Sequence, residues 1–489
     1  MNLIWITILL LLSFFVTGCG DENSSTAVET SFLWTITPEE RSIIQGDRAR
    51  YTIGISSISG IPIPKSLTLT LDDLPEGVTA SFFPNPILLP ASSLLTLSTE
   101  DDTPSGEYTL TIGHNLSENT LQTSLHVTPF KWGQVTASGK GPAGVQGHSS
   151  VYDSGADQLI VFGGETNGGT LADLWVLDHV ISTEETPSWR KIAVSGNTPA
   201  ARSGHRAVYN QGNSRMIILG GIDPDGDMVG EDDSLWILTN ASGGDGGDPA
   251  WEDWVDEGER PQHRIGFSMV YDNDNDTQNN RVIIYGGASV SGGVTTLSND
   301  VWVLKNADGS GVEPPTWEKI TPDTGSIPAK RTGHTAVYDA GTNTMIIMGG
   351  RTAKGVYSDV WILSNANGLG ETPSIWTPLD VTGGPVPARE GHSAVYDPST
   401  NRMTIFGGLD SDGEPLDDIW VLDNANGTGD SSSWYQKVTY HTSAVSYPEA
   451  RGLHTAAGAS ETNQLIVFGG LSEGSYLNDV WILQHANGE

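Results

Sequence analysis

The chain is poor in cysteine and in positive charge. Among its 489 residues there is one Cys, and 24 Lys and Arg stand against 60 Asp and Glu, a formal net charge of −36. One cysteine excludes an intrachain disulfide and any zinc or iron–sulfur site built from several thiolates. The scarcity of cations argues against a nucleic-acid partner, because affinity for phosphate backbones comes mainly from clustered Lys and Arg. Charged residues make up only 17% of the chain, which excludes a disordered polyelectrolyte.

The uncharged run near the N-terminus, Leu3 to Val16, is too short for a membrane-spanning helix, which needs roughly 20 apolar residues, and has the length typical of a signal peptide. It is followed by Thr17-Gly18-Cys19, and this arrangement resembles the lipobox of bacterial lipoproteins, which implies that Cys19 is lipidated. A plain signal peptide with a chance cysteine is the alternative, since Met1 and Asn2 supply no Lys or Arg. We predict a lipoprotein signal peptide at 1–19, a polar tether at 20–30, and a bacterial cell-envelope protein held at the outer membrane or cell surface through its lipid alone.

A first module is predicted at 31–128, where seven short β-rich runs alternate with turn residues, as in an antiparallel sandwich. The phrases Asp73-Leu-Pro-Glu-Gly-Val78 and Thr103-Pro-Ser-Gly-Glu-Tyr108 resemble those of bacterial immunoglobulin-like modules. We interpret this module as a spacer between anchor and working domain, with a ligand-binding role as the alternative.

The remainder of the chain is a repeat array. An apolar run ends in a Gly-Gly pair six times, each preceded by a motif such as GHSAVYD and followed by one such as DVWIL. A further Trp follows in five of the six units. The first glycines of the six pairs are Gly163, Gly220, Gly286, Gly349, Gly407 and Gly469.

This order of strand, apolar run with Gly-Gly, Trp strand and outer Trp strand resembles the kelch repeat, whose units are four-stranded blades of a β-propeller. Glycine pairs permit close backbone approach, and Trp rings fill the widening gap between blades. The fold class we predict is all-β: a six-bladed kelch β-propeller at 129–489 preceded by a small immunoglobulin-like β-sandwich. The sixth unit has no outer Trp strand, whereas 129–135 contains a spare one around Trp132, so we expect this N-terminal strand to close the ring.

Five repeats carry an Arg just before the first-strand motif, and first strands line the channel of a propeller. Guanidinium groups bind carboxylates or phosphates in bidentate fashion. In kelch propellers that recognise acidic peptides, Arg at this position contributes to the pocket, so the resemblance implies a ligand-binding ring. The alternative is that each Arg bonds carbonyls or an acidic group of the fold. The predicted ring consists of Arg202, Arg264, Arg331, Arg389 and Arg451.

Five His residues and several Asp-rich loops have metal-ligand chemistry but not the spacing of a metal site. Blade symmetry holds the His residues too far apart for one ion, so we expect them to bond backbone at the junctions between blades. The Asp-rich loops lack the EF-hand glycine and closing Glu and fit solvated turns better. We therefore predict no metal site, no cofactor and no catalytic residue. The His residues are His148, His205, His334, His392 and His454.

Three functions remain open. The first is a monomeric scaffold that binds a protein or glycan ligand, including an anionic one. The second is an enzyme: galactose-oxidase-like kelch proteins need a Tyr–Cys crosslink that this chain cannot form, but a periplasmic sialic-acid-type mutarotase remains possible, with Glu390 as a conceivable base. The third is a structural component of adhesion or assembly.

Overall fold

The structure is a computed structural model that describes most of the chain from Phe32 to Gly488. The signal peptide, Cys19 and the tether predicted from the sequence lie outside the described residues. The described ranges are 32–38, 40–46, 48–57, 66–88, 90–100, 103–115, 117–128, 130–194, 196–229, 235–243, 247–254, 259–272, 280–291, 293–323, 325–369, 372–429, 431–437 and 447–488.

The N-terminal module consists of two four-stranded sheets, ordered β1-β3-β6-β5 and β2-β8-β7-β4. All seven predicted strands are present, together with an additional one, β2, which pairs with β8 in parallel. The strands are β1 (Phe32–Thr37), β2 (Glu40–Ile44), β3 (Arg48–Ser57), β4 (Leu69–Asp72), β5 (Val78–Phe83), β6 (Ala91–Thr99), β7 (Gly106–His114) and β8 (Ser117–Thr128).

Apolar residues at every second position of these strands meet between the two sheets. Tyr51 and Ile53 of β3 and Leu110 and Ile112 of β7 are fully buried in one hydrophobic cluster. This alternation is the pattern expected of sheets with one buried face. The module is therefore held together by apolar packing, as the lack of cysteine requires.

The repeat region contains six sheets of four or five strands, numbered here 1 to 6 in chain order, among the residues that the structure describes. The strand before the first of them, β9 (Trp132–Gln134), belongs to sheet 6. Sheets 1 to 3 comprise β10 (Ser149–Asp153), β11 (Gln158–Phe162), the hairpin β12 (Glu165–Thr166) and β13 (Gly169–Thr170), β14 (Leu174–Asp178), β15 (Ser188–Ile192), β16 (Arg206–Asn210), β17 (Arg215–Leu219), β18 (Leu235–Thr239), β19 (Ala250–Trp254), β20 (Ser268–Asp272), β21 (Arg281–Tyr285), the hairpin β22 (Ala288–Ser291) and β23 (Val294–Leu297), β24 (Val301–Lys305) and β25 (Thr316–Ile320).

Sheets 4 to 6 follow the same antiparallel order, with one short added strand in each of sheets 4 and 5. Their strands are β26 (Arg331–Thr332), β27 (Thr335–Asp339), β28 (Thr344–Thr352), β29 (Gly355–Ser364), β30 (Ile375–Pro378), β31 (Val381–Gly383), β32 (Ser393–Asp397), β33 (Arg402–Phe406), β34 (Ile419–Asp423), β35 (Ser432–Lys437), β36 (Thr455–Ala459), β37 (Gln464–Ser472) and β38 (Ser475–Gln484).

The second strand of each sheet is the apolar run of the repeat, and it is buried on both faces, as Met345 to Met348 of β28 illustrate. The Gly-Gly pair at its end has positive φ in every copy, with Gly408 at +101°. A Cβ on Gly408 would lie 2.9 Å from the carbonyl oxygen of Glu390, so the position requires glycine. The turn after the third strand begins with a left-handed Asn in four sheets, where the sequence reads Asn-Ala-x-Gly. The φ angle is +48° to +52° at Asn240, Asn306, Asn365 and Asn424.

The first strands of successive sheets lie side by side, from β10 through β16, β20, β27 and β32 to β36, and β36 lies next to β10. Trp132 and Gly133 of β9 pair with Leu483 and Ile482 of β38, as expected for a strand from the N-terminal side completing the last sheet. The described residues contain no α-helix, and among them no helix is long and apolar enough to cross a membrane.

Candidate functional site

A cavity of about 450 Å³ lies where the first strands of the repeat region begin. Its lining comes from the turns and first strands of all six sheets, and its volume is within the range of small-ligand sites. Much of the lining consists of glycine backbone and hydroxyl groups, including Ser149, Ser268, Thr335, Ser393 and Thr455. This cavity is the candidate site.

The five predicted Arg residues occupy equivalent positions beside this region, but each residue is at most 3% exposed. Arg389 shows the common arrangement: Nη1 donates to the carbonyl of Gly407 at 2.9 Å and to Asp418 Oδ1, and Nη2 donates to Asp418 Oδ2, both at 2.7 Å. The same bidentate pairing with an Asp of the same sheet recurs in three further sheets, as Arg264 with Asp300, Arg331 with Asp359, and Arg451 with Asp479.

Each of these Asp residues also accepts a hydrogen bond from the Trp two positions later, for example Trp361 Nε1 to Asp359 Oδ2 at 2.6 Å. Burial alone would raise the pKa of Asp359, but the hydrogen bonds from Arg331 and Trp361 outweigh it and hold the pKa below its ordinary value. The Asp of the Asp-x-Trp motif therefore connects the Arg before the first strand to the third strand. We call this ion pair and the Trp hydrogen bond together the Arg–Asp–Trp bracket.

The Arg main chain joins neighbouring sheets. The second glycine of each Gly-Gly pair donates its N–H to the carbonyl of the Arg position in the next sheet, as Gly350 does to Arg389 at 2.8 Å. Sheet 1 has Val145 at this position, and the bond from Gly470 to Val145 is still 2.8 Å long. The described residues that line the cavity do not include any of the five Arg. A ligand-binding role for them stays a prediction, and their geometry favours the architectural alternative.

The five His residues form a second set of junction contacts. Each is buried, and its Nε2 is hydrogen-bonded to a hydroxyl on the first strand of the preceding sheet. Backbone hydrogen bonds, which we expected, also act on the pKa of four of the five, namely His148, His205, His334 and His454. The pairs are His148 with Thr455 (2.9 Å), His205 with Ser149 (2.8 Å), His334 with Ser268 (2.9 Å), His392 with Thr335 (2.8 Å) and His454 with Ser393 (2.8 Å).

Burial sets the protonation state of these imidazoles. Removal from water lowers the pKa of His148 and of His454 to about 3, and the pKa of His205, His334 and His392 also lies well below the ordinary value. The rings are therefore neutral at physiological pH and act as hydrogen-bonding spacers. No group of three or more His, Cys, Asp or Glu among the described residues is placed to hold a metal ion.

One junction, between sheets 2 and 3, replaces this pair with different side chains. Sheet 3 has Phe267 where the other sheets have His, and sheet 2 has Arg206 where the others have Ser or Thr. Arg206 Nε donates to the carbonyl of Phe267 at 2.9 Å, while its Nη1 makes only a long contact of 3.5 Å with the carbonyl of His205. The residue as a whole is partly exposed in the cavity wall, and burial of its guanidinium lowers the pKa of that group.

Arg206 is thus the one cation among the described lining residues, facing a cavity whose histidines are neutral. We did not single it out from the sequence, although the signal was there: the residue after the motif's His or Phe reads Ser, Arg, Ser, Thr, Ser, Thr through the six copies. Glu390 also lines the cavity, but its carboxylate is paired with Arg351 at 2.6 Å, which does not match a base held ready for substrate.

The Asp-rich loops form turns where the structure describes them. Asp223 Oδ1 accepts N–H bonds from Asp225 and Asp227, and Asp410 Oδ1 accepts them from Asp412 and Glu414. These carboxylates cap their own loops, as the sequence predicted.

Comparison with known proteins agrees with this geometry. The family model for the KLHDC2/KLHL20/DRC7 kelch-repeats domain matches residues 112–242 and 371–489, just over half of the chain, and the attractin/LZTR1 β-propeller model matches 245–420. An F-box/kelch-repeat protein from Arabidopsis thaliana is 26% identical over 65% of this chain and 64% of its own length. Adagio-like protein 3 from Oryza sativa subsp. japonica is 28% identical over 60% of this chain and 42% of its own.

The matched region therefore spans less than two thirds of these relatives. Among solved structures, domains 4 and 5 of the S-layer protein SbsC match 20% of this chain and 53% of that one at 15% identity, with a TM-score of 0.17, which is too low to support an inference. The family models and the repeated Gly-Gly, Arg and Asp-x-Trp geometry agree with one another. The chain belongs to the kelch-repeat family of β-propeller proteins.

Proposed function

We propose that this protein is a lipid-anchored, extracytoplasmic scaffold that binds an anionic protein ligand in the cavity beside Arg206. The observation that carries the proposal is the break in the junction pattern. Repeat positions that keep one residue type serve the architecture, whereas Arg206 places a guanidinium in the cavity at a position where the other five sheets have a hydroxyl. Guanidinium groups in a partly desolvated site select carboxylates.

In this proposal the six sheets are the blades of one closed propeller at 129–489, and the module at 31–128 is an immunoglobulin-like spacer. Closure is supported by the pairing of β9 with β38 and by the hydrogen bond between His148 of sheet 1 and Thr455 of sheet 6. Deleting 131–135 should therefore lower the unfolding midpoint of the repeat region. Unchanged cooperative unfolding of that variant would contradict the ring.

The ligand proposal is tested with the intact chain and a matched variant, Arg206→Ser combined with Phe267→His. This pair of changes installs the His–hydroxyl contact of the other junctions, so it removes the cation while providing a junction contact. We expect acidic peptides to be enriched from a displayed peptide library by the wild-type chain and to bind the variant about tenfold more weakly or worse. Equal binding to both proteins, with equal unfolding midpoints, would contradict a role for Arg206.

A glycan array run in parallel distinguishes the other ligand class. Selective binding of acidic glycans, but not peptides, would replace the protein ligand by a glycan one. Mutarotation of a sugar acid by the purified chain would overturn the scaffold in favour of the enzyme. For the anchor, mass spectrometry of the mature protein should find diacylglyceryl on Cys19, and an unmodified N-terminus elsewhere would refute it.

A further inference from the structure

Five of the six first strands carry a Tyr one position before their last residue, and the sixth does not. Sheet 6 has Gly458 there, and the register shows the equivalence: Gly458 pairs with Leu465 as Tyr396 of sheet 5 pairs with Met403. The five Tyr residues are Tyr152, Tyr209, Tyr271, Tyr338 and Tyr396.

This Tyr side chain fills space between neighbouring sheets. Tyr396 packs against an apolar cluster that includes Val337 of sheet 4. Its hydroxyl donates to Oδ1 of Asn401, in the turn after the first strand, at 3.1 Å. Tyr338 donates to Asn343 in the same way at 3.0 Å. The ring is thus an apolar filler with one fixed hydroxyl.

Gly458 leaves the equivalent space open between sheets 5 and 6. A cavity of about 340 Å³ lies beside it, at the ends of the first strands, whereas the cavity beside Arg206 lies where these strands begin. A Cβ added at Gly458 would lie 3.5 Å from Val395, which is an ordinary contact distance, and Gly458 does not have the left-handed φ of the Gly-Gly pairs. The glycine therefore leaves room for a ring at a position where the backbone does not require glycine.

The hydrogen-bonding position of the missing hydroxyl is retained. Asn463 follows the first strand of sheet 6 with a φ of +51°, against +54° at Asn401. Its Oδ1 accepts the N–H of Asn487 at 2.8 Å, as Oδ1 of Asn401 accepts that of Asn426 at 3.0 Å. Asn463 also lines the cavity, so its carboxamide oxygen is held there in the orientation that meets the Tyr hydroxyl in sheet 5.

A second departure from the repeat lines the same cavity. The middle residue of the second strand is Thr404 in sheet 5 and Ile in the other five sheets. Thr404 is 1% exposed, and its hydroxyl donates to the carbonyl of Ala486, after the third strand of sheet 6. Two departures at one junction thus replace apolar filling by a partly polar cavity.

We propose that the cavity beside Gly458 binds a small neutral phenol, whose ring takes the place of the missing Tyr side chain. Val395 provides an apolar wall and Tyr396 an aromatic one, and burial of a ring against such walls is favourable. The phenol hydroxyl meets Asn463 as the Tyr hydroxyls meet the turn Asn of sheets 4 and 5. The site is separate from the proposed anionic-ligand site, because the described linings of the two cavities have only two alanines in common.

The test uses p-cresol, which is the Tyr side chain with a hydrogen in place of the backbone. The purified full-length chain is titrated with it and followed by calorimetry and by the thermal unfolding midpoint. We expect saturable binding and a rise in the midpoint, because a ligand that binds only the folded state stabilises it. Toluene should bind about tenfold more weakly, because it leaves the hydroxyl contact unmade.

The variant Gly458→Tyr fills the cavity with the protein's own ring. It should bind p-cresol at least about tenfold more weakly and unfold at a higher temperature than the wild-type chain. The matched control is Gly168→Tyr, which adds the same side chain on the exposed hairpin of sheet 1 and should leave binding unchanged. A further variant, Thr404→Ile, keeps Gly458 and installs the residue of the other five sheets, and we expect weaker binding because the cavity becomes smaller.

Arg206→Ser with Phe267→His should bind p-cresol as the wild-type chain does, so a failure of the anionic-ligand proposal would leave this result intact. The phenol site would be overturned by no saturable binding of p-cresol, by equally tight binding of toluene, or by unchanged p-cresol binding in a folded Gly458→Tyr chain. If Gly458→Tyr does not fold, unchanged binding by Thr404→Ile overturns the site instead.

Discussion

Sheets 4 to 6 and sheets 1 to 3 have the same backbone arrangement but different side-chain chemistry at their junctions. In sheets 4 to 6 every copy has the Arg–Asp–Trp bracket and the His–hydroxyl contact. In the other half, sheet 1 has Val145 in place of the Arg, and Asp173 pairs with Lys191 at the surface. The backbone bond from Gly470 to Val145 nevertheless keeps the length it has between Gly350 and Arg389.

The junctions also differ in a second set of contacts, at the other end of the first strands. An Asn from the loop after the third strand donates to the Asp that ends the first strand of the preceding sheet, for example Asn426 to Asp339 at 2.8 Å. Between sheets 2 and 3 the two residue types are exchanged, with Asn210 on the strand donating to Asp308 in the loop at 2.7 Å. This departure from the repeat is thus a compensating pair, which indicates that the junction between sheets 2 and 3 needs the contact and not a particular residue.

The largest loss of stability is expected from Arg389→Met, which lies in the regular sheets 4 to 6. It would leave the carboxylate of Asp418, only 13% exposed, without its buried partner, which typically costs about 3–5 kcal/mol of unfolding free energy. The comparison is Lys191→Met in sheet 1, whose Lys and Asp side chains are 51% and 34% exposed, with an expected loss below about 1 kcal/mol. Denaturant unfolding of both variants measures the difference, and similar losses would contradict the assignment of Arg389 to the architecture.

Gly408→Ala should cost about 3 kcal/mol, because the new Cβ meets backbone at 2.9 Å and the residue has positive φ. Gly413→Ala is the matched control, since φ is +86° there but nothing lies within 4 Å of the added Cβ, and we expect about 1 kcal/mol. Equal losses in chemical denaturation would show that backbone conformation alone, and not the approach of the next strand, requires glycine at the pair.

Asn210→Asp should cost about 2 kcal/mol at neutral pH, because it places a second carboxylate against Asp308, and these positions are 8% and 1% exposed. Adding Asp308→Asn produces the arrangement of the regular junctions and should recover much of the loss. A double-mutant cycle on unfolding free energies measures this coupling. Additive effects of the two changes would show that the exchange between Asn and Asp is not compensatory.

A smaller effect is expected on the pH dependence of the unfolding free energy when a junction His is replaced. The folded-state pKa of His454 is lowered to about 3 against 6.5 when unfolded, so the neutral ring's stabilisation is present above pH 6.5 and is lost as the pH falls towards 3. His454→Gln should reduce the slope of unfolding free energy between pH 6 and 4.5 by up to about 1.4 kcal/mol per pH unit. The carboxylates of Asp300, Asp359 and Asp479 have pKa values lowered below 3.8 and lose their contribution only at more acidic pH.

Installing a sixth buried His with Arg206→Ser and Phe267→His should instead make that slope steeper. Stability curves of the three proteins over this pH range provide the measurement. An unchanged slope in His454→Gln would mean that this imidazole is not held neutral by burial.

The sequence predicted what is local and repeated, and it missed what depends on partners far along the chain. Apolar runs and Gly-Gly pairs identify the strands, because a strand that is buried on both faces consists of consecutive apolar residues. The Asp two positions before Trp is visible in five of the six motifs. Its pairing with Arg389 or Arg331, however, depends on two segments meeting in three dimensions. In the sequence, Arg206 and Phe267 each look like an isolated exception to the repeat. Only the structure shows that they meet at one junction, where they replace the His–hydroxyl pair together.

The pairing of β9 with β38 also determines when the repeat region can finish folding. Pro142 and Asn478, which are hydrogen-bonded beside these strands, are 336 residues apart in the chain. Long-range pairing of this kind slows folding, because the entropy of closing the loop is lost before the contacts form. While the chain is still being synthesised, the strand edges that β9 and β38 later cover are therefore exposed. Truncation before β38 would leave an open edge prone to pairing with other chains.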